Sequence, residues 1–564
     1  MKLDLADNNN QSRFKTSLIS AAVRNSIFVL GLAHASAHAA DITVTSASDN
    51  GIGCTLREAI NSANTSLDQS NGCATGSDSG IDRIVFDNTE FANANNITLA
   101  SGQLDLQNKN LEIDAQALVN GVTVSATGTS RVMQVSGGNV TVNNLTITGG
   151  GSVDDGGGLL INGGASVTLT DSQISNNTAS RNGGGIHLDG NSTLNLQNSK
   201  VSDNRAERIS IVRGGGIYAG DGNTIELQSS EISNNTVRST GGSGSFAAGI
   251  SANQNNTVII NNSSVSYNNG TGIDISSGSS LDLIDSSVEN NVLGGDGGRD
   301  GAGGLDLTGA GTVNIIRSRI FGNKALSNTG GLAVSGKTTM IVDSVISNNS
   351  STGRSFGGGF HFSYGSFTVS NTTISNNEIS NNSSSVYGGG GVVFINANTT
   401  FNQVTMFDNA LDSNVFNNGS ALAVVASTFT LQNSIIADST AADELSCLVF
   451  DTPLTQFNID SASIIQDGSC GALRNGDPGL LSLANNGGPT ETNALSQDSI
   501  AINSGDTSTC LSTDQRGGER DVLCDVGAFE FGAELLGGVP DDPANDSQIF
   551  LIPLPNGKTV IFEL

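Results

Sequence analysis

Gly183-Gly184-Gly185-Ile186-His187-Leu188, followed by Thr193-Leu194-Asn195-Leu196 and closed by Val201-Ser202-Asp203-Asn204, is the stretch from which the fold is read. It starts with a small-residue triplet and an apolar residue, continues with apolar residues at alternate positions, and ends with an apolar residue three places before Asn. Alternation marks strands with one face inward, and the Gly and Asn positions mark turns. Both signatures recur in register. The triplet returns at Gly156-Gly157-Gly158-Leu159 and Gly214-Gly215-Gly216-Ile217, then before Ile250, Ile273, Leu305, Leu332, Phe360, Val392 and, more loosely, Leu422. The Asn signature recurs as Asn177, Asn204, Asn235, Asn268, Asn291, Asn323, Asn349, Asn377 and Asn409. The period averages about 29 residues, within the range of solenoid repeats.

Three short strands and three turns per unit make a coil, and stacked coils hydrogen-bond in parallel about 4.8 Å apart. The expected fold is all-β, a right-handed parallel β-helix, because parallel crossovers are overwhelmingly right-handed. A propeller would need blades of roughly 40–45 residues. The Asn column is expected to be structural, each amide bonding to its copy one coil away. Thr368, Thr400 and Thr430 should stack on one outward column, and Phe360, Phe362, Phe367, Phe394, Phe401 and Phe407 should stack in the core. Within a unit the distance from triplet to Asn is nearly constant, whereas the distance from Asn to the next triplet varies. All insertions therefore leave at one corner, where they form a candidate binding edge. They include Arg205 to Arg213, Gly241 to Ser245, Gly294 to Gly301 and Ile379 to Tyr387.

Composition agrees with this reading. The 564 residues include 72 Gly, 7 Pro and no Trp, and 36% are hydrophobic, too rich in Gly for a helical bundle. The formal net charge of −29 opposes binding to nucleic acid or an anionic lipid surface. Residues 1–39 read as a signal peptide, with Arg13, Lys15 and Arg24 ahead of the apolar run Ser26 to Ala33 and the cleavage signature Ala37-His38-Ala39. No other apolar run is long enough to span a bilayer. The six cysteines follow it, and pairing that closes the smallest loops gives Cys54–Cys73, Cys447–Cys470 and Cys510–Cys524. Residues 40–120 form the N-terminal cap and first coils, 121–440 the repeats, 441–537 a disulfide-containing C-terminal cap, and 538–564 an acidic linker and short tail.

Cys54-Thr55-Leu56-Arg57-Glu58-Ala59 resembles the CSLREA motif of exported bacterial β-helix proteins, with Thr55 for the usual Ser. Read on its own, Thr55 and Glu58 make a capping box and Leu56, Ala59, Ile60 and Ala63 one apolar face, so a short helix closes the open end of the solenoid. Asp477-Pro478, Asn486-Gly487-Gly488-Pro489-Thr490, Ser499 to Gly505, Asp514-Gln515-Arg516-Gly517 and Cys524 to Glu530 resemble, in order, the choice-of-anchor Q domain of bacterial surface proteins. That resemblance implies a secreted or cell-surface location and names no catalytic residue. The repeats are also similar to those of chlamydial polymorphic membrane proteins, which end in a membrane barrel. No room for a barrel is expected after Glu530.

Chemistry on such a surface needs residues on adjacent coils. The residue after each inward anchor gives an outward column of Leu160, His187, Tyr218, Ser251, Asp274, Asp306, Ala333, His361, Val393 and Ala423. Asp274 and Asp306 fall on neighbouring coils, where paired carboxylates suit Ca²⁺ binding or acid–base work on a glycosidic bond. Asp282 is a further Ca²⁺ candidate. Gly294-Gly295-Asp296-Gly297-Gly298-Arg299-Asp300 occurs once and reads as a loop. The expected function is an adhesin-like, secreted or surface β-helix that binds an extracellular polysaccharide or surface protein. No cofactor is expected beyond an optional Ca²⁺ ion, and a monomer is favoured. The alternatives are a polysaccharide-cleaving enzyme using Asp274 and Asp306, and a structural surface component.

Overall fold

The computed structural model describes residues 40–535, 549–553 and 559–563, except 67–71, 93–94, 108, 129, 209–210, 241–246, 295–300, 327, 353–354, 381–388, 412–418, 440–444 and 451. The expected signal peptide, most of the acidic linker and the tips of several loops lie outside the described residues. The chain winds as a right-handed parallel β-helix of about 29-residue coils. A representative coil has a first strand, Ile186–Leu188, a second, Thr193–Gln197, and a third, Lys200–Ser202. Each pairs in parallel with its counterpart in the next coil, Ile217–Ala219, Thr224–Gln228 and Glu231–Ser233. Alternation directs Leu194 and Leu196 inward, and the buried residues form one apolar column from Ile42 to Ile465.

The turn after the third strand is built on asparagine. The preceding residue is left-handed, as at Asn176, Asp203 and Asn234, with φ between 56° and 58°. The Asn itself is buried, and its amide bridges coils. Asn235 donates its backbone N–H to Asn268 Oδ1 at 2.9 Å, while its Nδ2 donates to Asn268 Oδ1 at 3.1 Å and to the Val201 carbonyl at 2.9 Å. The same pattern runs from Asn177 through Asn204 to Asn377, and ends on Asn409. The triplet is tied to this ladder sterically. A Cβ on Gly185 would lie 2.9 Å from Asn204 Nδ2, and one on Gly216 2.9 Å from Asn235 Nδ2. The last glycine of the triplet therefore makes room for the Asn of its own coil.

A second ladder, of serines, occupies the turn between the second and third strands. The backbone N–H groups of Ser172, Ser199, Ser230, Ser263, Ser286 and Ser318 each donate to the hydroxyl of the serine one coil on. The residue before each serine is again left-handed, from Asp171 to Arg317. Phe362 and Phe367 stack with centroids 4.2 Å apart, Phe394 and Phe429 lie 5.1 Å apart, and Phe429 and Phe457 5.4 Å. Phe407 departs from the expected core stack. It is half-buried on the outside, where it packs against C-terminal residues. Thr368, Thr400 and Thr430 are in register on an outward column.

At the N-terminal end the helix Leu56–Thr65 buries Leu56, Ala59, Ile60 and Ala63, with a capping box between Thr55 and Glu58. Arg57 fastens it through Asp49 Oδ1 at 2.9 Å and the carbonyls of Gln103 and Gly102, both at 2.7 Å. The disulfides pair Cys54 with Cys73, Cys447 with Cys470 and Cys510 with Cys524.

The region expected to be a C-terminal cap has three separate roles. Cys447–Phe450, Gln456–Ile459 and Ile464–Ile465 add one more coil. The short 3-10 turn Ser469–Gly471, held by Cys470, packs on that coil, with Cys470 and Ala472 against the end of the core. Residues 477–535 then turn back as an arm along the side of the solenoid. The reason lies in the first residue of the third strand. It reads Lys200, Glu231, Ser264, Ser287 and Arg319, then becomes Val345, Thr373, Thr405 and Ile435 on the coils that the arm meets. Ile435 and Ile464 pack with Ala494, Leu495, Ala501, Val526 and Phe529.

Inside the arm, Arg520 is fully buried against Glu530 at 3.0 Å and also donates to the Gly527 carbonyl and to Asn371 Oδ1. Asp514 accepts from the backbone N–H groups of Arg516, Gly518 and Glu530. Arg516 Nη2 reaches the same carboxylate at 2.7 Å, and its guanidinium lies 3.7 Å over the Phe529 ring.

Two stability predictions follow from these contacts. Asn268→Ala leaves the buried N–H of Asn235 without its acceptor and should destabilise the fold by about 3 kcal/mol, read from the shift in a denaturant midpoint. Arg520→Ala strands the buried Glu530 carboxylate and should cost about 4 kcal/mol. Limited proteolysis should then show the arm cut before the solenoid.

Candidate functional site

The side of the solenoid with the most chemistry is the outward column of the first strands together with the loops that lead into it. Leu160, His187, Tyr218, Ser251, Asp274, Asp306, Ala333, His361, Val393 and Ala423 lie in register, each paired with the next across one coil. The backbone after each ladder Asn makes a further short parallel ladder. It stacks Thr178–Ala179, Arg205–Arg208 and Thr236–Ser239, and then Val292–Leu293, Lys324–Ala325, Ser350–Thr352, Glu378–Ser380 and Ala410–Leu411. Loops of different length therefore depart from one line.

Asp274 and Asp306 are direct neighbours in the column. Ser251 Oγ donates to Asp274 Oδ2 at 3.3 Å, and the Thr308 hydroxyl bonds Asp306. Asp306 Oδ2 also lies beside Gly301, where the loop rejoins the coil. Asp282 does not join this pair. It lies on the second strand, aligned with Ile259 and Asn314, and accepts from Asn314 Nδ2 at 2.7 Å. Among the described residues, no three His, Cys, Asp or Glu side chains converge as a cation site. Of the Ca²⁺ candidates, Asp274 and Asp306 are neighbours and Asp282 stands apart on the next strand, because successive strands of a coil face different sides.

A second cluster, on the coils before Ser251, combines residues that the column alone does not reveal. The residue before each triplet forms its own stack, Asp155, Asn182 and Arg213, next to the column. Asp155 Oδ1 lies 3.6 Å from His187 Nδ1 and 3.0 Å from Arg181 Nε. The His187 and Tyr218 rings have centroids 5.0 Å apart. Arg131 donates to the carbonyls of Gly156 at 2.8 Å and Asp155 at 2.7 Å.

Burial pushes His187 below its ordinary value, with the Asp155 charge opposing. Burial raises Asp155, but the hydrogen bond from Arg181 and the charges of His187 and Arg181 outweigh it and hold the carboxylate below its usual range. Burial raises Tyr218 against the pull of Arg213. Cation-bearing groups therefore stand near the column, at one end of it and about four coils from Asp274. At about 4.8 Å per coil that separation is close to 19 Å, too far for Asp155 and Asp274 to act on one bond. The sequence signal for this cluster was the position before the triplet, read down the repeats.

Residues 110–293 match the family model described as "Right handed beta helix region". No curated protein matches the chain. Among solved structures, one titled "Crystal structure of pectate lyase Pel9A" is similar at 13% identity and a TM-score of 0.33, covering 88% of this chain and 97% of that one. Similarity at this level transfers neither a substrate nor a residue role to this chain. No helix among the described residues is long and apolar enough to cross a membrane.

His361, lower in the same column, gives a pH test of the packing there. Its residue keeps some exposed surface, but burial of the imidazole pushes it down to about 4. An unfolded chain takes up this proton near pH 6.5, whereas the native state does so only near 4. Stability should fall as the pH drops from 6.5 to 4 and then level off, by about 2 kcal/mol after allowing for partial exposure. His361→Leu should flatten that part of the stability-against-pH curve measured by urea denaturation.

Proposed function

We propose that the protein is an exported, adhesin-like β-helix that holds an extracellular polysaccharide or surface protein against its loop edge. The supporting observation is the stacked ladder from Thr178 to Leu411, which lies along one line after the ladder Asn residues, where segments of different length begin. A rigid line of strands carrying loops of unequal length is the usual architecture of a binding surface, because the scaffold bears the order and the loops bear the variation. In this reading residues 1–39 direct export, Cys54 to Asn64 is a CSLREA-type cap, and Asp477 to Glu530 is a choice-of-anchor Q-type module of a surface protein. The arm's motif residues Asp514, Arg516, Asp525 and Glu530, together with Arg520 between the motifs, are consumed in holding it together. That supports a fastening role for them.

The second reading, a polysaccharide-cleaving enzyme, draws on the register of Asp274 and Asp306. One experiment separates the two. The purified protein is incubated with bacterial, algal and plant polysaccharides and with surface-protein extracts, and polymer lengths and co-elution are followed by size exclusion. The expected result is intact polymer or a discrete protein co-eluting with the wild type. Retention should be at least tenfold weaker when residues 381–387 and 412–418 are replaced by short Gly-Ser links. Shortened polymer, abolished by Asp274→Asn with Asp306→Asn, would establish the enzyme instead.

A further inference from the structure

On a different side of the solenoid, an open groove of about 710 Å³ runs over the turn between the second and third strands. It spans five consecutive coils, from Asn198 to Arg319, and its end is formed by Pro489 and Thr490 at the tip of the arm. We infer that this groove is a second binding site, separate from the loop edge, for an extended, neutral, hydroxyl-rich glycan chain.

The molecule itself shows that this turn receives an extended chain. On the next coils the same turn position is covered by the arm: Asp343 meets it through its backbone carbonyl, and on the three coils after that the turn side chain bonds the arm's backbone. Asn371 Nδ2 donates to the Thr513 carbonyl at 2.8 Å, Gln403 Oε1 accepts from Leu511 N at 2.7 Å, and Asn433 Nδ2 donates to the Asp506 carbonyl at 3.1 Å. The groove is the continuation of that track, with Asn198 and Asn262 at the equivalent left-handed positions.

What changes along the track is the wall beside the turn. Under the arm it is Val345, Thr373, Thr405 and Ile435, which suit peptide side chains. In the groove it is Lys200, Glu231, Ser264, Ser287 and Arg319, which offer hydrogen-bonding groups.

The charges in the groove cancel locally. Lys200 Nζ meets Glu231 Oε1 at 3.0 Å, and Arg317 makes a two-pronged pair with Asp285 at 2.6 and 2.7 Å. Arg319 is held by Glu289 and Glu491 and lies 3.6 Å over the Phe321 ring. A polyanion or polycation therefore gains little there, whereas a chain of hydroxyls finds donors and acceptors repeating about every 4.8 Å. The Glu491 contact and the bond from Thr490 Oγ1 to the Asp343 carbonyl at 3.0 Å fix the end of the groove rigidly. A polar, preformed cleft of this kind loses little order on binding.

The test is calorimetric titration of the full chain with cellohexaose, xylohexaose and mannohexaose, and with hexagalacturonate as the charged comparison. Two variants probe the groove. Ser264→Arg fills it from an outward position, and Asn262→Gly removes the turn amide while keeping a residue that tolerates positive φ. Circular dichroism and the thermal midpoint confirm that each variant is folded. The expected result is that at least one neutral hexasaccharide binds, that both variants weaken it at least tenfold, and that the loop-trimmed protein binds it like the wild type. Four results would overturn the inference: no neutral hexasaccharide binds, hexagalacturonate binds in preference, binding follows the loops, or only peptides from a random display library bind in a way that Ser264→Arg abolishes. Loss in the loop-trimmed protein alone would bear on the loop edge, and loss in the groove variants alone on this site.

Discussion

The buried amide at the turn after each third strand is the constraint from which the rest of the molecule follows. Each ladder Asn satisfies its neighbour's backbone N–H and side-chain N–H with one oxygen, in a core position where an unmade hydrogen bond is expensive. That geometry holds only if the coils are in register about 4.8 Å apart and the preceding residue is left-handed. Asn, Asp and Gly supply most of those positions, with Tyr267 the exception. The glycine that ends each triplet is required by the same amide, because a side chain there would strike it. The two sequence signatures are thus two halves of one contact, which explains their nearly constant spacing.

With two turns of the central coils fixed by Asn and Ser ladders, length variation has one place to go. The loops leave after the Asn, and the functional candidates divide accordingly. The column of first-strand residues and the loop edge share one side, and the groove over the serine turn lies on another. The arm decides how much of that second side is open. It covers the coils whose outward third-strand residues are small or apolar and stops at Arg319, which pairs with its tip.

Much of the candidate site was legible in the repeat. Once the period was known, reading one position down the units placed His187, Tyr218, Ser251, Asp274 and Asp306 in a single column. Asp282 lies outside that column, since the next turn takes its strand to another face. Arg181 and Asp155 were missed because they lie before the triplet, outside the column being read. The serine ladder was missed because Ser occurs throughout the chain, and only the backbone contacts set Ser199 and Ser230 apart. The extent of the arm could have been found from Val345, Thr373, Thr405 and Ile435, apolar or small residues at a position that is otherwise charged or Ser.

The sequence by itself determined the solenoid, its period, its local disulfides and the helix that closes its first end. Each depends on contacts between a residue and its own repeat or on short-range capping, so a single chain position carries the information. Only the tertiary structure decided that residues 477–535 run back along the side, that Phe407 lies outside the core, and that a polar groove remains beyond their tip. Those features depend on contacts between segments more than a hundred residues apart, such as Arg319 with Glu491 and Thr373 with Gln515. No periodicity links such partners, so their meeting is set by the packing of the two surfaces.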